Sequence, residues 1–110
     1  MKKSGGNRRS LDIVKDILIV ASVSVRKTRI MYQANLSYVQ VNKYLNKLLT
    51  QGLLKHEDNS RYLITDKGLA FLKLYEEYVE RCTKLKEQVS QSVKDRLHLE
   101  RIWLVKDFNG

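Results

Sequence analysis

The chain has 110 residues, 21 Lys and Arg against 12 Asp and Glu, and a net charge of +9; this is the size of one small domain with an arm or extension, and the charge suits a polyanionic partner. A single cysteine, Cys82, excludes an intrachain disulfide framework or multi-cysteine zinc site, so an intracellular setting is expected. No run approaches the ~18 apolar residues of a spanning helix and no apolar signal core follows Met1, so neither membrane insertion nor export is expected.

The charge is unevenly placed. Residues 1–68 hold 13 basic and 5 acidic side chains, a net of +8, whereas residues 69–110 hold 8 and 7, a net of +1. The first two-thirds is therefore the expected polyanion-facing part. Residues 1–9 (MKKSGGNRR) are basic, with no apolar residue after Met1, and read as a flexible arm, either solvated or touching phosphate. Ser10 can cap the next helix, where Ile13, Val14, Ile17, Leu18 and Ala21 form an inward stripe. Residues 22–27 alternate β-branched and polar side chains, as a short connecting strand or loop does. A short second helix over residues 27–33 has Thr28 as its expected cap and Ile30 and Met31 as anchors, and Ala34-Asn35-Leu36 form a turn after it.

The third helix has the best-marked ends. Ser37 and Gln40 make an S-x-x-Q capping box at its start, and Gly52 can take the positive φ that ends it. Val41, Leu45, Leu48 and Leu49 recur on one face, while Gln40, Lys43, Asn46, Lys47 and Thr50 lie away from it. Two helices joined by a three-residue turn, the second polar outside, outline a helix-turn-helix. Residues 53–57 and 61–64 are strand-like around the turn formers Asp58-Asn59-Ser60, which adds a hairpin wing. The expected head, residues 10–66, is thus a winged helix-turn-helix in a mainly α fold with a small β-wing.

From Thr65, a cap, helical patterning continues without Pro to about Arg101, a helix of about 50 Å, longer than the head needs. Phe71, Tyr75, Tyr78, Cys82, Leu85 and Val89 are spaced 4-3-4-3-4, a heptad seam that Val93 and Leu97 extend after a phase slip. A coiled coil between two copies over residues 67–101 explains this better than a helix folded back on its own head. An antiparallel pair centred near Cys82 sets Phe71, Tyr75 and Tyr78 opposite Val93, Val89 and Leu85. It also lays the more acidic half, residues 69–81 with Glu76, Glu77 and Glu80 against Lys73 and Arg81, along the partner's more basic half, residues 83–101 with Lys84, Lys86, Lys94, Arg96 and Arg101 against Glu87, Asp95 and Glu100. Residues 102–110 form an apolar tail (Ile102-Trp103-Leu104-Val105 and Phe108) that such a coil carries to the partner's head.

For catalysis the sequence offers little. His56 and His98 stand far apart, neither at metal or triad spacing with Cys82 or a carboxylate, and no phosphate loop is present. No enzyme activity, cofactor, metal or small-molecule substrate is expected, and Cys82 reads as a small apolar filler at the seam. For DNA, Lys43 and Lys47 on the third helix are first choices as phosphate ligands, with the amides Gln40, Asn42 and Asn46 as the groups able to read base edges. That helix carries no arginine, the commonest reader of guanine, which leans toward sequence-tolerant binding. Arg26, Lys27 and Arg29 before and within the second helix, Ser37 and Tyr38 at the third helix's N-terminus, and Lys55 and Arg61 on the wing complete the expected footprint.

The run K-T-R-I-M-Y-x-A-N-L-S-Y over residues 27–38, followed by Tyr44-Leu45, Leu53-Leu54 and the link Tyr62-x-x-Thr65-x-Lys67-Gly68, closely resembles a crenarchaeal family. Its members are ten-kilodalton winged-helix chromatin-associated proteins that dimerise through an antiparallel coiled coil. The resemblance covers about residues 10–96. It implies a cytoplasmic, nucleoid-associated homodimer of an archaeal thermophile that binds double-stranded DNA with little sequence preference, with RNA as a further partner of some members. A sequence-specific winged-helix transcriptional regulator, an RNA- or ribosome-associated protein and a protein-interaction adaptor share these features and stand as alternatives.

Overall fold

A computed structural model describes residues 9–109, with side chains to residue 104; apart from Arg9, the basic arm lies outside the described residues. Four helices and three strands follow in the order α1 (Ser10–Val20), β1 (Val25–Arg26), α2 (Lys27–Gln33), α3 (Tyr38–Thr50), β2 (Leu54–Asp58), β3 (Arg61–Ile64) and α4 (Asp66–Asn109). The chain divides into two units between Tyr75 and Glu76. The first unit is a winged-helix head: every element before α4 contributes to its core, and the first turns of α4 complete it.

The apolar stripes meet as their spacing requires. Ile17 and Leu18 of α1, Ile30 of α2 and Val41 and Leu45 of α3 are fully buried, and Phe71 and Leu72 of α4 pack partly buried against the same cluster. Each such aliphatic side chain contributes about 1.5–3 kcal/mol by leaving water. Leu49, expected in the stripe, lies only half-buried at its edge.

Two expected caps are not used. α1 begins at Ser10 itself, with extended Arg9 as the N-cap residue and its N–H donating to the Asp12 carboxylate at 3.4 Å. Ser10 instead accepts a hydrogen bond from the Tyr44 hydroxyl at 3.2 Å. α2 begins at Lys27, before Thr28, because Arg26 is still held in a strand. That strand, β1, is the larger difference from the expected two-stranded wing. Val25 pairs with Tyr62 and Arg26 with Arg61, giving a three-stranded antiparallel sheet in the order β1-β3-β2.

Where α3 hands over to α4, the chain is fastened twice. Gly52 takes φ 78°, the left-handed conformation that ends a helix. The Thr65 hydroxyl donates to the Gly52 carbonyl at 2.6 Å and accepts from the Gly68 N–H at 3.1 Å, capping α4 as expected. The Lys67 ammonium also reaches the Gln51 carbonyl at 2.7 Å. Gly68 fits this join only because it lacks a side chain: a Cβ there would collide with the Leu53 carbonyl oxygen and stand 2.6 Å from Ile64 Cγ1. Gly68→Ala is thus expected to lower stability by about 1–3 kcal/mol through overpacking, despite alanine's better helix propensity. Thermal unfolding followed by circular dichroism checks this; an unchanged or higher Tm would show that the join yields.

α4 does not stop near Arg101 but continues as helix through the expected tail to Asn109. Beyond Tyr75, the larger side chains of the seam are left facing solvent: Tyr78, Leu85, Val89, Val93 and Leu97 are all exposed, from 41% to 63%. Exposed ion pairs one turn apart, Glu77 with Arg81 at 3.8 Å, Glu80 with Lys84 at 3.1 Å and Arg96 with Glu100 at 3.3 Å, support this helix locally, each by a few tenths of a kcal/mol.

Candidate nucleic-acid interface

The α2–α3 turn is made by Asn35 at φ 57°, one of the few residue types that accept that region. It delivers the chain to the capping box: the Gln40 N–H donates to Ser37 Oγ at 3.1 Å, and the Ser37 N–H donates to Gln40 Oε1 at 3.0 Å. The box starts the helix as the sequence indicates. It also ties up the Gln40 side-chain oxygen, so reading an adenine with both amide atoms would break the cap.

Asn42 is tied up as well. Lys27 donates to Asn42 Oδ1 at 2.6 Å, and its ammonium lies 5.3 Å from the centre of the Tyr38 ring. Lys27 is half-buried and joins α2 to α3 in this structure. Arg61 is engaged in a similar way, donating through Nη1 to the Ser24 carbonyl at 3.1 Å. Of the expected footprint, the exposed cations are Arg26, Arg29, Lys43, Lys47 and Lys55. Asn46 is exposed beside Lys43 and Lys47, and Tyr38 and Val39 at the start of α3 are 63% and 75% exposed.

β1 brings together residues that the sequence keeps apart. Arg26, Arg29 and Arg61 line one recess of about 470 Å³ with Ser24 and Thr28, and the buried Ser24 hydroxyl has no hydrogen-bond partner among the described residues. Val23 and Val25 complete the lining, and arginine is the residue type there that suits an oxyanion. Ser24 and Thr28 are not recognisable as part of this group from the sequence, where the only signal is the alternation around Val23 and Val25. The wing is less cationic than expected: Glu57 and Asp58 are exposed near its tip. Hydrogen bonding from the Ser60 backbone, and then from its hydroxyl, holds the Asp58 carboxyl below its ordinary value, so the tip is anionic. His56 packs on Tyr62, with ring centres 4.9 Å apart.

The seam residues divide between the two units. Phe71 packs on the head core and Tyr75 donates to the Asp12 carboxylate, a bond that is the main cause of the lowered Asp12 pKa. Cys82 is a free, half-buried thiol. Among the described residues no cluster of three or more metal-ligating side chains occurs, and no helix is long and apolar enough to cross a membrane.

The winged helix-turn-helix family model matches residues 7–83. Among solved structures, the DNA-binding protein Sso10a-2 of Sulfolobus solfataricus is 34% identical, with a TM-score of 0.63 over 76% of this chain and 95% of that one. ZitR of Lactococcus lactis, a zinc-responsive MarR family member, is 23% identical with a TM-score of 0.53, over 81% of this chain and 67% of that one, a likeness of fold. No curated protein matches significantly. With the family model spanning well over half of the sequence and the Sulfolobus protein matched over nearly its whole length, the chain belongs to the winged helix-turn-helix family, in the crenarchaeal group of DNA-binding proteins represented by Sso10a-2.

Proposed function

We propose that this chain is a non-enzymatic, homodimeric protein that binds double-stranded DNA through its phosphates with little sequence preference, bending or bridging it as a component of the nucleoid. The observation that carries the reading is the state of the third helix. Its outward cations, Lys43 and Lys47, are exposed, while two of its three amides are already engaged at their oxygens, Gln40 in the capping box and Asn42 with Lys27. Point charges suit phosphate, and base reading needs free bidentate groups, of which Asn46 alone is left. The Arg26–Arg29–Arg61 recess offers a second phosphate contact. That Sso10a-2 is a DNA-binding protein supports the same choice of partner.

The dimer rests on α4. An apolar face exposed along several turns is unstable in water by itself and stable against a second helix, and the acidic-then-basic order of charges favours an antiparallel pair.

Binding of random duplex, selected duplex, single-stranded DNA and structured RNA, compared in one gel-shift series, tests the reading. Random and selected duplexes should bind within a few-fold of each other and ahead of both single strands and RNA. A selected duplex preferred by about 10³ or more is the ratio of an operator-specific regulator, and preference for structured RNA would move the protein to an RNA role; either result overturns the proposal.

A further inference from the structure

Val39, Lys43, Asn46 and Thr50 follow one another at spacings of four, three and four residues, so they stack as one ridge along α3. All four are exposed, on the side away from the buried Val41, Leu45 and Leu48. Three of them are polar or charged, as the outer face of a surface helix ordinarily is. Val39 is neither, and at 75% it is more exposed than any other Val, Leu or Ile among the described residues. Local structure does not call for it there: a β-branched side chain slightly lowers helix propensity, and the capping box is complete with Ser37 and Gln40. Its neighbour Tyr38 already has the Lys27 ammonium over its ring, whereas Val39 lies open on the ridge that Lys43 shares.

We infer that Val39 packs against the C5-methyl group of thymine in the major groove. The inference rests on α3 facing DNA, and it adds to the phosphate contacts of Lys43 and Lys47 an apolar contact with base edges. In a helix-turn-helix the N-terminal residues of the second helix are the ones that reach those edges, and Val39 is the second residue of α3. In the major groove the base pairs present donors, acceptors and one apolar group, the thymine methyl. A hydrocarbon side chain carried into the groove has that methyl as its match, and needs no bidentate amide to read it. Reach points the same way. Lys43, one turn along the ridge, is long enough to extend from the groove to a phosphate, but a valine is short and touches only what lies directly beneath the helix.

Such a contact gives a lean rather than an operator. Withdrawing one methyl group from water is worth about four-fold in affinity, small beside the ratio of about 10³ or more that marks an operator-specific regulator. The contact also favours DNA over RNA of the same sequence. RNA carries uracil, which lacks the methyl, and its deep, narrow major groove does not admit side chains.

Two duplexes of one sequence, the first with thymine and the second with uracil throughout, differ only in this methyl. Their affinities for the intact protein and for Val39→Ser are measured by fluorescence anisotropy. Because Val39 is exposed, the substitution leaves the core, Lys43 and Lys47 in place. The wild type should bind the thymine duplex about four-fold more tightly than the uracil duplex, with the same dependence on salt. Val39→Ser should bind both alike, at the wild type's affinity for the uracil duplex.

Equal binding of the two duplexes by the wild type overturns the contact and leaves a phosphate-bound α3 standing. A thymine preference that survives unchanged in Val39→Ser belongs to the stiffness of the duplex, and an equal loss on both duplexes gives Val39 a role without the methyl; either result also overturns the contact. A wild type that binds neither duplex removes the DNA reading of α3 itself.

Discussion

Replacing Lys43 and Lys47 together by glutamate is expected to remove most duplex binding while leaving fold and dimer intact. Each substitution turns an attractive charge on the outward side of α3 into a repulsive one, twice per dimer. Both side chains are exposed, and substitutions at exposed positions ordinarily change stability by within about 0.5 kcal/mol. Every phosphate that the variant fails to neutralise also keeps its counterion, so the slope of log affinity on log salt should flatten by about 0.9 per such phosphate. Fluorescence anisotropy with a random duplex at several salt concentrations, paired with sedimentation, separates impaired binding from impaired folding. Wild-type affinity in a folded double variant would remove α3 from the interface.

The second large effect is expected from Leu85→Asp combined with Val89→Asp. Both side chains are exposed in the single chain, at 60% and 63%, so the folded head does not need them. In a coil their carboxylates would sit at the apolar seam without partners, a burial of charge that the dimer cannot accommodate. The variant should sediment as a monomer with a folded head. Its α4 beyond Tyr75 should lose helix, because an isolated helix of this kind is marginal in water. Duplex affinity should fall by about 10²–10⁴, the range that linking two sites supplies. A variant that stays dimeric would put the association surface elsewhere.

What is legible in the sequence is what is decided locally. The start of α3 at Ser37 and its stop at Gly52 each depend on a few neighbouring residues, and both hold. β1 is ambiguous between strand and loop in the sequence because two residues carry almost no periodicity; it exists because Val25 and Arg26 meet Tyr62 and Arg61 far along the chain. The same long-range pairing keeps Arg26 extended and starts α2 before Thr28. Heptad spacing puts Phe71 and Tyr75 on one face of α4 but does not say what that face meets; here Phe71 packs on the head core and Tyr75 bonds Asp12. The helical patterning is legible to about Arg101, yet residues 69–108 contain neither Pro nor Gly to stop a helix, and the helix runs on.

The candidate site divides in the same way. Lys43 and Lys47 are exposed where a helical wheel puts them. Lys27, Gln40 and Arg61 stand out in the sequence for charge or polarity, and the structure engages each of them internally. Whether a polar side chain is free or already bonded depends on its neighbours in space, and for Lys27 and Arg61 these lie fifteen and 37 residues away. These commitments sharpen the functional reading: they take up two of the three amides of α3 and two cations of the expected footprint, and leave Lys43 and Lys47 exposed.

The most direct test is the affinity of the intact protein for a random-sequence duplex across a range of salt concentrations. The account predicts a straight fall of log affinity with log salt, steep enough for several phosphate contacts at about 0.9 each, and nearly the same line for any other duplex of that length. An affinity that barely changes with salt, or that appears for only one duplex sequence, would contradict it.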